Sequence, residues 1–298
     1  MTAVAVGIDV GGSKIAGALV AVDGTILHEI TVATPRSERG ADPSGTATTA
    51  LVTELVAGSG RHEIVGIGIG VPEYVDPHGR IASSIVLDWN AETSASLTSG
   101  LVDSQMPDVI IESDVRCAAL AESRHGHGRA ATSCLYVTVG TGISHTMVID
   151  GKPWSGRRGE AIAFGELSVS AEACLVDEAP LTVEGQASGL TLERVASRLG
   201  VSPLTTDDTR LDAARRRAGQ TIANALADAV ALFDPAIVVL GGGFGVSTGA
   251  FSEAIDEHYA ALTTTRPDAP TLVRSALGTR AGVIGAGLVA HERYDSAT

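Results

Sequence analysis

The stretch Val4–Gly24, VAVGIDVGGSKIAGALVAVDG, decides how this chain is read. Val4–Val10 is an apolar run in which Asp9 is the one charge, as in a buried strand. Gly11-Gly12 breaks it, and Lys14–Val22 reads as a second strand. Asp23-Gly24 is a strong hairpin signal, so Thr25–Val32 reads as a third, antiparallel strand. The order then returns downstream. Cys134–Val139 is a strand, Gly140-Thr141-Gly142 a turn, Ile143–Ile149 a strand, and Asp150-Gly151 a second hairpin-type turn. A repeat of this kind points to two related lobes.

Between the repeats, Pro43–Val56 has helical spacing, with Ala47, Leu51 and Leu55 on one face. Ile64–Val71 is a strand apolar on both sides; Val109–Glu112 is a short strand, and Ser113–Arg124 a helix. Residues 153–189 are loop-rich. A long helix is expected over Asp208–Phe233, with Leu211, Ala214, Ala218, Ile222, Leu226 and Phe233 on one stripe and Asp234-Pro235 as its stop. Ile237–Leu240 is a buried strand closed by Gly241-Gly242-Gly243, and a last helix covers Val283–His291.

Composition narrows the function. A chain of 298 residues with 44% hydrophobic residues can build one large domain or two lobes with real cores. A net charge of −14 argues against a nucleic-acid partner, because phosphate neutralisation needs clustered Lys and Arg. No apolar run has the length of a bilayer span. The start, MTAVAVGIDVGG, lacks a basic segment and carries Asp9 in its apolar run, so it does not read as a signal peptide. Cys117, Cys134 and Cys174 are too few and too scattered for a disulfide framework. The expectation is a cytoplasmic globular protein without a membrane partner.

Three strand-to-glycine turns dominate: Gly11–Lys14, Gly140–Gly142 and Gly241–Gly243. Glycine after a strand lets backbone N–H groups approach an oxyanion, so such turns can hold phosphate with few basic side chains. Each by itself also reads as a plain turn. No GxxxxGK[ST] motif exists, which argues against a Walker-type NTPase. Gly285-Ala286-Gly287 lies inside the last helix and reads as helix packing. Gly245-Val246-Ser247-Thr248-Gly249 fits GxSxG, so a hydrolase nucleophile at Ser247 is a rival. Asp256 and His258 follow almost at once, leaving little chain for the acid and base loops; the plainer role for Ser247 is N-cap of a helix over Gly249–Leu262.

Asp114 follows a strand at the start of a helix, the edge where α/β sheets carry their sites, although a helix-dipole charge would look the same. Glu166 and Glu184 lie in loop-rich sequence beside glycines, as carboxylates that bind hydroxyls do and as solvated loop charges also do.

Taken in order, these motifs resemble the ROK sugar kinases of the actin-like ATPase superfamily. The resemblance is carried by Ile8–Lys14, Gly66-Ile67-Gly68-Ile69-Gly70-Val71-Pro72, Glu112-Ser113-Asp114 ahead of Ala118–Glu122, and Val137–Gly142. It continues through Gly165-Glu166, Glu184 with Ser188-Gly189, Val239–Gly243, and Leu277-Gly278 with Gly282. It implies an α/β, two-lobed, ribonuclease H-like fold with mixed sheets flanked by helices. The implied lobes are 1–113 plus 282–298, and 114–281. It further implies an ATP-dependent kinase acting on a hexose hydroxyl, O6, with ATP in the cleft. Asp9 would sit by Mg²⁺; Gly11, Gly12, Ser13, Lys14, Gly140, Thr141 and Gly142 would hold the phosphates; Gly241, Gly242 and Gly243 would lie near the adenosine. Asp114 matches the general base. Ser113, Glu166 and Glu184 match positions that bind the sugar. The family is often dimeric, so a homodimer is expected.

The chain departs from the family pattern where the sugar is read. The family's zinc cysteines are missing: Cys174 stands alone, and no structural zinc is expected. The usual His after the Gly-Glu pair is Val169, preceded by Ser168; the usual Asn before the base is Ser113. The usual Gly after Val-Pro is Glu73, and the usual Asn before Trp89 has Ile85 as its nearest match. His145 stands where the family often has Gly, and reads as pointing across the strand. Glu73 joins Asp114, Glu166 and Glu184 as a fourth carboxylate, which favours a cationic acceptor such as kanosamine; a loop charge facing water is the plain alternative. Glucokinase proper, a cyclitol kinase and a non-catalytic sugar sensor are the other readings.

Overall fold

A computed structural model of the chain describes residues 2–35, 43–87, 108–203 and 208–297. The region around Trp89 lies outside the described residues. The chain divides into two compact units: Met1–Arg129 with Gly151–Ile162 and Arg280–Thr298, and Ala130–Asp150 with Ala163–Thr279.

Unit 1 opens with β1 (Ala3–Val10), β2 (Lys14–Ala21) and β3 (Ile26–Ala33), paired antiparallel as the two turns predict. Helix α1 (Pro43–Ala57) leads to β4 (Glu63–Val71) and β5 (Val109–Ser113), both parallel to β1. The sheet order is β3-β2-β1-β4-β5. Helix α2 (Asp114–His125) starts directly from β5. Val6, Ile8, Leu51, Leu55, Ile67 and Ile69 are buried together as its core. Each such side chain contributes roughly 1.5–3 kcal/mol by leaving water. Strands covered on both faces need apolar residues throughout, which explains the unalternating pattern of β1 and β4.

Unit 2 rebuilds the same plan from β6 (Ser133–Val139), β7 (Ile143–Ile149), β9 (Ile237–Gly241) and β10 (Thr271–Arg274), with the two-residue β8 (Lys152–Pro153) of the 151–162 segment completing the strand order. Its sheet runs β10-β9-β6-β7-β8. Read from β8, that is the first sheet's order over again, so the repeat legible in the glycine turns is a repeat of topology. The helices are α3 (Val183–Ala187), α4 (Gly189–Leu199), α5 (Thr209–Phe233), α6 (Gly242–Gly245), α7 (Ala250–Thr263) and, back in unit 1, α8 (Ala281–Ala297). Helix α5 is capped by the Asp208 carboxylate, which accepts from the N–H groups of Arg210 and Leu211 at 2.9 and 3.3 Å. It stops where Asp234 turns left-handed ahead of Pro235.

Several expectations need correction. The unit boundary follows Arg129 rather than Ser113, because α2 packs on α8. A Cβ at Gly285 would lie 1.7 Å from the Cys117 carbonyl oxygen, which accounts for the glycine pair as packing. Helix α4 was not foreseen, although Leu192, Val195, Ala196 and Leu199 carry its apolar period and Ser188 its cap. Gly241–Gly243 is a strand-to-helix switch into α6, with Gly242 at φ +78°, rather than a simple turn. Ser247 is not the cap of α7. That helix starts after Gly249, and the Ser247 hydroxyl donates to the Phe244 carbonyl at 2.6 Å. Among the described residues, no helix is long and apolar enough to cross a membrane.

Candidate active site

The C-terminal ends of β1, β4 and β5 form one edge of the first sheet. Register sets Asp9 beside Gly70, Gly70 beside Glu112, and Val71 beside Ser113. Asp114 is the next residue and the first of α2. Three strand ends therefore bring Asp9, Ser113 and Asp114 together, although 105 positions separate the two aspartates. Gly282, at the start of α8, fits tightly there: a Cβ would lie 2.4 Å from Asp9 Oδ2. The Gly11–Lys14 turn leaves the same edge. It is closed by Gly11 N–H donating to the Lys14 carbonyl at 2.9 Å, and steadied by the Thr34 hydroxyl donating to the Gly11 carbonyl at 2.6 Å.

Burial decides the electrostatics of this edge. Desolvation pushes the Asp9 carboxyl up to about 6, against the pull of Lys14. Desolvation and then the charge of Asp9 push Asp114 up to about 7. The Val115 N–H, donating to Asp114 Oδ1 at 2.6 Å, works the other way, as do the Ser113 hydroxyl and the Arg116 guanidinium. A carboxylate with its pKa near neutral is matched to taking a proton from an alcohol at physiological pH.

Arg116 was not singled out by sequence. It is buried, pairs with Glu112 Oε1 at 2.6 Å, and donates to the carbonyls of Gly159 and Val75 at 3.0 and 2.6 Å. It ties α2 to two loops of unit 1. The Glu112–Arg116 spacing of four was the available signal, obscured because it crosses a strand-to-helix junction.

Unit 2 gathers the remaining candidates. In the Gly140–Gly142 turn, Gly140 N–H donates to the Gly142 carbonyl at 2.9 Å. The N-terminus of α4 braces this turn: Gly189 N–H donates to the Gly140 carbonyl at 2.8 Å, and Leu190 N–H to that of Thr141 at 3.3 Å. Glu184 Oε2 accepts the Ile143 N–H at 2.7 Å; a Cβ at Gly142 would come 2.7 Å from that same oxygen. Gly165 packs on Glu184, with a would-be Cβ 3.0 Å from the Glu184 Cβ, and the exposed Glu166 is the next residue of the chain. Gly189 also touches the Phe244 ring, so the Gly241–Gly243 segment joins the cluster. His145 packs between the Phe164 and Phe233 rings, with centroids at 5.7 and 6.1 Å.

Glu73 departs from both readings made for it. It neither faces water nor offers a free carboxylate to a cationic substrate. It is 2% exposed, and it accepts from Ser83 Oγ and from the N–H groups of Ile85, Val86 and Leu87 at 2.5–2.9 Å. The hydrolase reading also fails. Asp256 pairs with Arg274 and His258 contacts Asn224, while Ser247 hydrogen-bonds its own loop.

The described residues contain no group of three or more His, Cys, Asp or Glu side chains arranged to hold a metal. Mg²⁺ does not need one, since it is commonly bound by one or two carboxylates plus substrate phosphates. Burial raises both carboxyls of this edge, and the charge of Asp9 raises Asp114 further.

Two repeated units, each opening with strand, glycine turn and strand, define the class: this is the actin-like ATPase fold. The chain matches the ROK family model over residues 5–293 and belongs to that family. It is 28% identical to a glucokinase of Streptomyces coelicolor, over 96% of this chain and 97% of that protein. It is 29% identical to an N-acetylgalactosamine kinase of a Shewanella species, over 96% of each. Among solved structures, a ROK family glucokinase from Streptomyces griseus in complex with glucose and AMPPNP superposes with a TM-score of 0.83. That match has 26% identity and covers 97% of this chain and 99% of that one.

Proposed function

We propose that this ATP-dependent carbohydrate kinase transfers the γ-phosphoryl group to O6 of a hexose or modified hexose, with Asp114 as general base. The observation that carries the reading is the pair Asp9 and Asp114 on one sheet edge, with Asp114 pushed up to about 7. The Asp114 carboxylate accepts the hydroxyl proton as the sugar oxygen attacks the γ-phosphorus, and ADP leaves. Positioning and charge neutralisation supply most of the catalysis in such a transfer. Gly11–Lys14 and Gly140–Gly142 offer backbone amides to the phosphates, and the Gly241–Gly243 segment serves the adenosine. Asp9 would hold Mg²⁺ with the nucleotide; that ion, when bound, neutralises charge on the phosphate oxygens. Glu166 and Glu184 accept hydrogen bonds from sugar hydroxyls, with Ser113 beside the base.

The glucokinase and N-acetylgalactosamine kinase named above support a hexose or an aminosugar derivative as acceptor. Glu73 no longer singles out a cationic aminosugar such as kanosamine, because its carboxylate is occupied by four protein donors. Glucose itself is thus the first acceptor to test, with cyclitols as the alternative. A non-catalytic sensor is disfavoured by the retained Asp114 and the retained glycine turns. A cytoplasmic homodimer is the accompanying expectation, and light scattering after size exclusion tests its stoichiometry.

The deciding experiment is ADP release across glucose, mannose, N-acetylated hexoses, aminosugars and cyclitols, with Asp114→Asn as control. Turnover on a hexose that vanishes in the variant is the expected result. No turnover on any sugar, or undiminished turnover in Asp114→Asn, overturns the reading.

A further inference from the structure

The Glu73 carboxylate has two oxygens and room for about four hydrogen bonds. All four are made within the protein. Oε2 accepts from the Ser83 hydroxyl at 2.5 Å and the Ile85 N–H at 2.8 Å; Oε1 accepts from Val86 N–H at 2.6 Å and Leu87 N–H at 2.9 Å. Ser83 in turn accepts the Tyr74 N–H at 2.8 Å, which closes the arrangement back onto the chain beside Glu73. A buried carboxylate is costly unless its charge is matched by donors, so the segment must fold around it.

The location gives this brace a purpose. Glu73 stands two residues beyond the end of β4, whose last residue, Val71, is in register with Ser113. It therefore leaves the same edge as Asp9 and Asp114. The segment it holds reaches the Gly11–Lys14 turn, with Val86 Cγ1 3.5 Å from where a Cβ of Gly12 would stand. Leu87 packs into the unit 1 core, whereas Ile85 and Val86 are 69% and 51% exposed. The three backbone donors of 85–87 are consumed by Glu73, and the two exposed side chains have no polar atom. Such a wall offers an acceptor no hydrogen-bond donor from these residues.

We infer that Glu73 is a positioning residue that holds Ile85–Leu87 as a donor-free, apolar wall beside the carboxylate edge, and that this wall shapes the acceptor site. The inference rests on the proposed function for its kinetic part alone. A sugar hydroxyl directed at the wall loses its water partners without replacement. An acceptor that presents carbon there, such as a deoxy position, does not.

The test uses the full chain and the variant Glu73→Gln, whose amide puts N–H donors where N–H donors already point. Hydrogen exchange reads the brace directly. The amides of Ile85, Val86 and Leu87 are expected to be protected in the wild type and to exchange at least tenfold faster in the variant. Kinetically, KM for the sugar is expected to rise about tenfold, while kcat and KM for ATP change less than threefold. Should Glu73→Gln not fold, Ser83→Ala removes one donor of the four, with a two- to threefold rise expected in the same KM. Unprotected amides in the wild type overturn the inference whether or not any sugar is phosphorylated. So does protection unchanged by the substitution, or a loss in which the apparent kcat falls with the folded fraction while KM for the sugar stays unchanged. A wild type with protected amides but no kinase activity sinks the proposed function and, with it, the kinetic role of the wall.

Discussion

Replacing Asp114 by Asn should cripple the enzyme and stabilise the protein, and the second effect should depend on pH. The folded state raises Asp114 from 3.8 to about 7, chiefly through desolvation and then through the charge of Asp9. A carboxyl raised on folding binds its proton more tightly in the folded state. Its stability contribution is complete below the unfolded value and is lost as pH rises toward the folded one. Between pH 5 and about 7 the wild type therefore loses stability over two pH units, at about 1.4 kcal/mol each, or about 3 kcal/mol. Asparagine carries no charge to desolvate and can still accept the Val115 N–H that now reaches Oδ1. The variant should be more stable than wild type at pH 8, and its advantage should exceed that at pH 5 by about 2–3 kcal/mol. For a chain of this length that is on the order of 5 °C in the unfolding midpoint. Turnover should fall about 10²–10⁴-fold, the usual share of a general base. Thermal denaturation at pH 5 and pH 8, paired with ADP release at pH 8, reads both. An advantage that is equal at the two pH values refutes the burial argument. Full turnover refutes the base.

Three further outcomes follow from the same geometry. The wild-type kcat/KM profile should show an acid limb near pH 7, falling tenfold per unit below it, because Asp114 must be ionised to accept a proton; a flat profile from pH 5 to 8 contradicts this. Gly142→Ala should displace the Glu184 carboxylate and break its bond to Ile143 N–H, costing about 1 kcal/mol and raising KM for the sugar; an unchanged KM would remove Glu184 from the site. Arg116→Ala should cost about 3 kcal/mol, since it strands Glu112 and two carbonyls, and should move the acid limb upward by removing a cation that holds Asp114 down; denaturant midpoints and the pH profile check the two effects separately.

What could be read along the chain was local. The strands of both repeats, the Asp23-Gly24 turn, the start of α5 at Asp208 and its stop at Asp234 all follow from turn chemistry, capping and apolar runs within a few residues. The candidates Asp9, Asp114 and Gly140–Gly142 stood out for the same reason, because each lies at a strand end. Glu73 was misread because its partners are three backbone amides and a hydroxyl 10–14 residues downstream. Backbone amides carry no side-chain signature that a sequence could display. Arg116 was passed over because its other partners, the carbonyls of Val75 and Gly159, are equally anonymous.

The amino-acid order alone thus specified a twice-repeated strand–glycine–strand plan and the kinds of residue at its ends, since periodicity and turn preference act over short distances. It could not specify that β1, β4 and β5 align so that Asp9 sits beside the residues leading to Asp114, nor that α8 returns to press Gly282 against Asp9. Those placements come from packing between segments far apart in the chain. They are what raises one carboxyl to about 7 and turns another, Glu73, inward. Burial and the field of neighbouring charges are properties of the folded surroundings, and so the difference between a carboxyl raised toward neutrality and a carboxylate held as a structural brace appears only there.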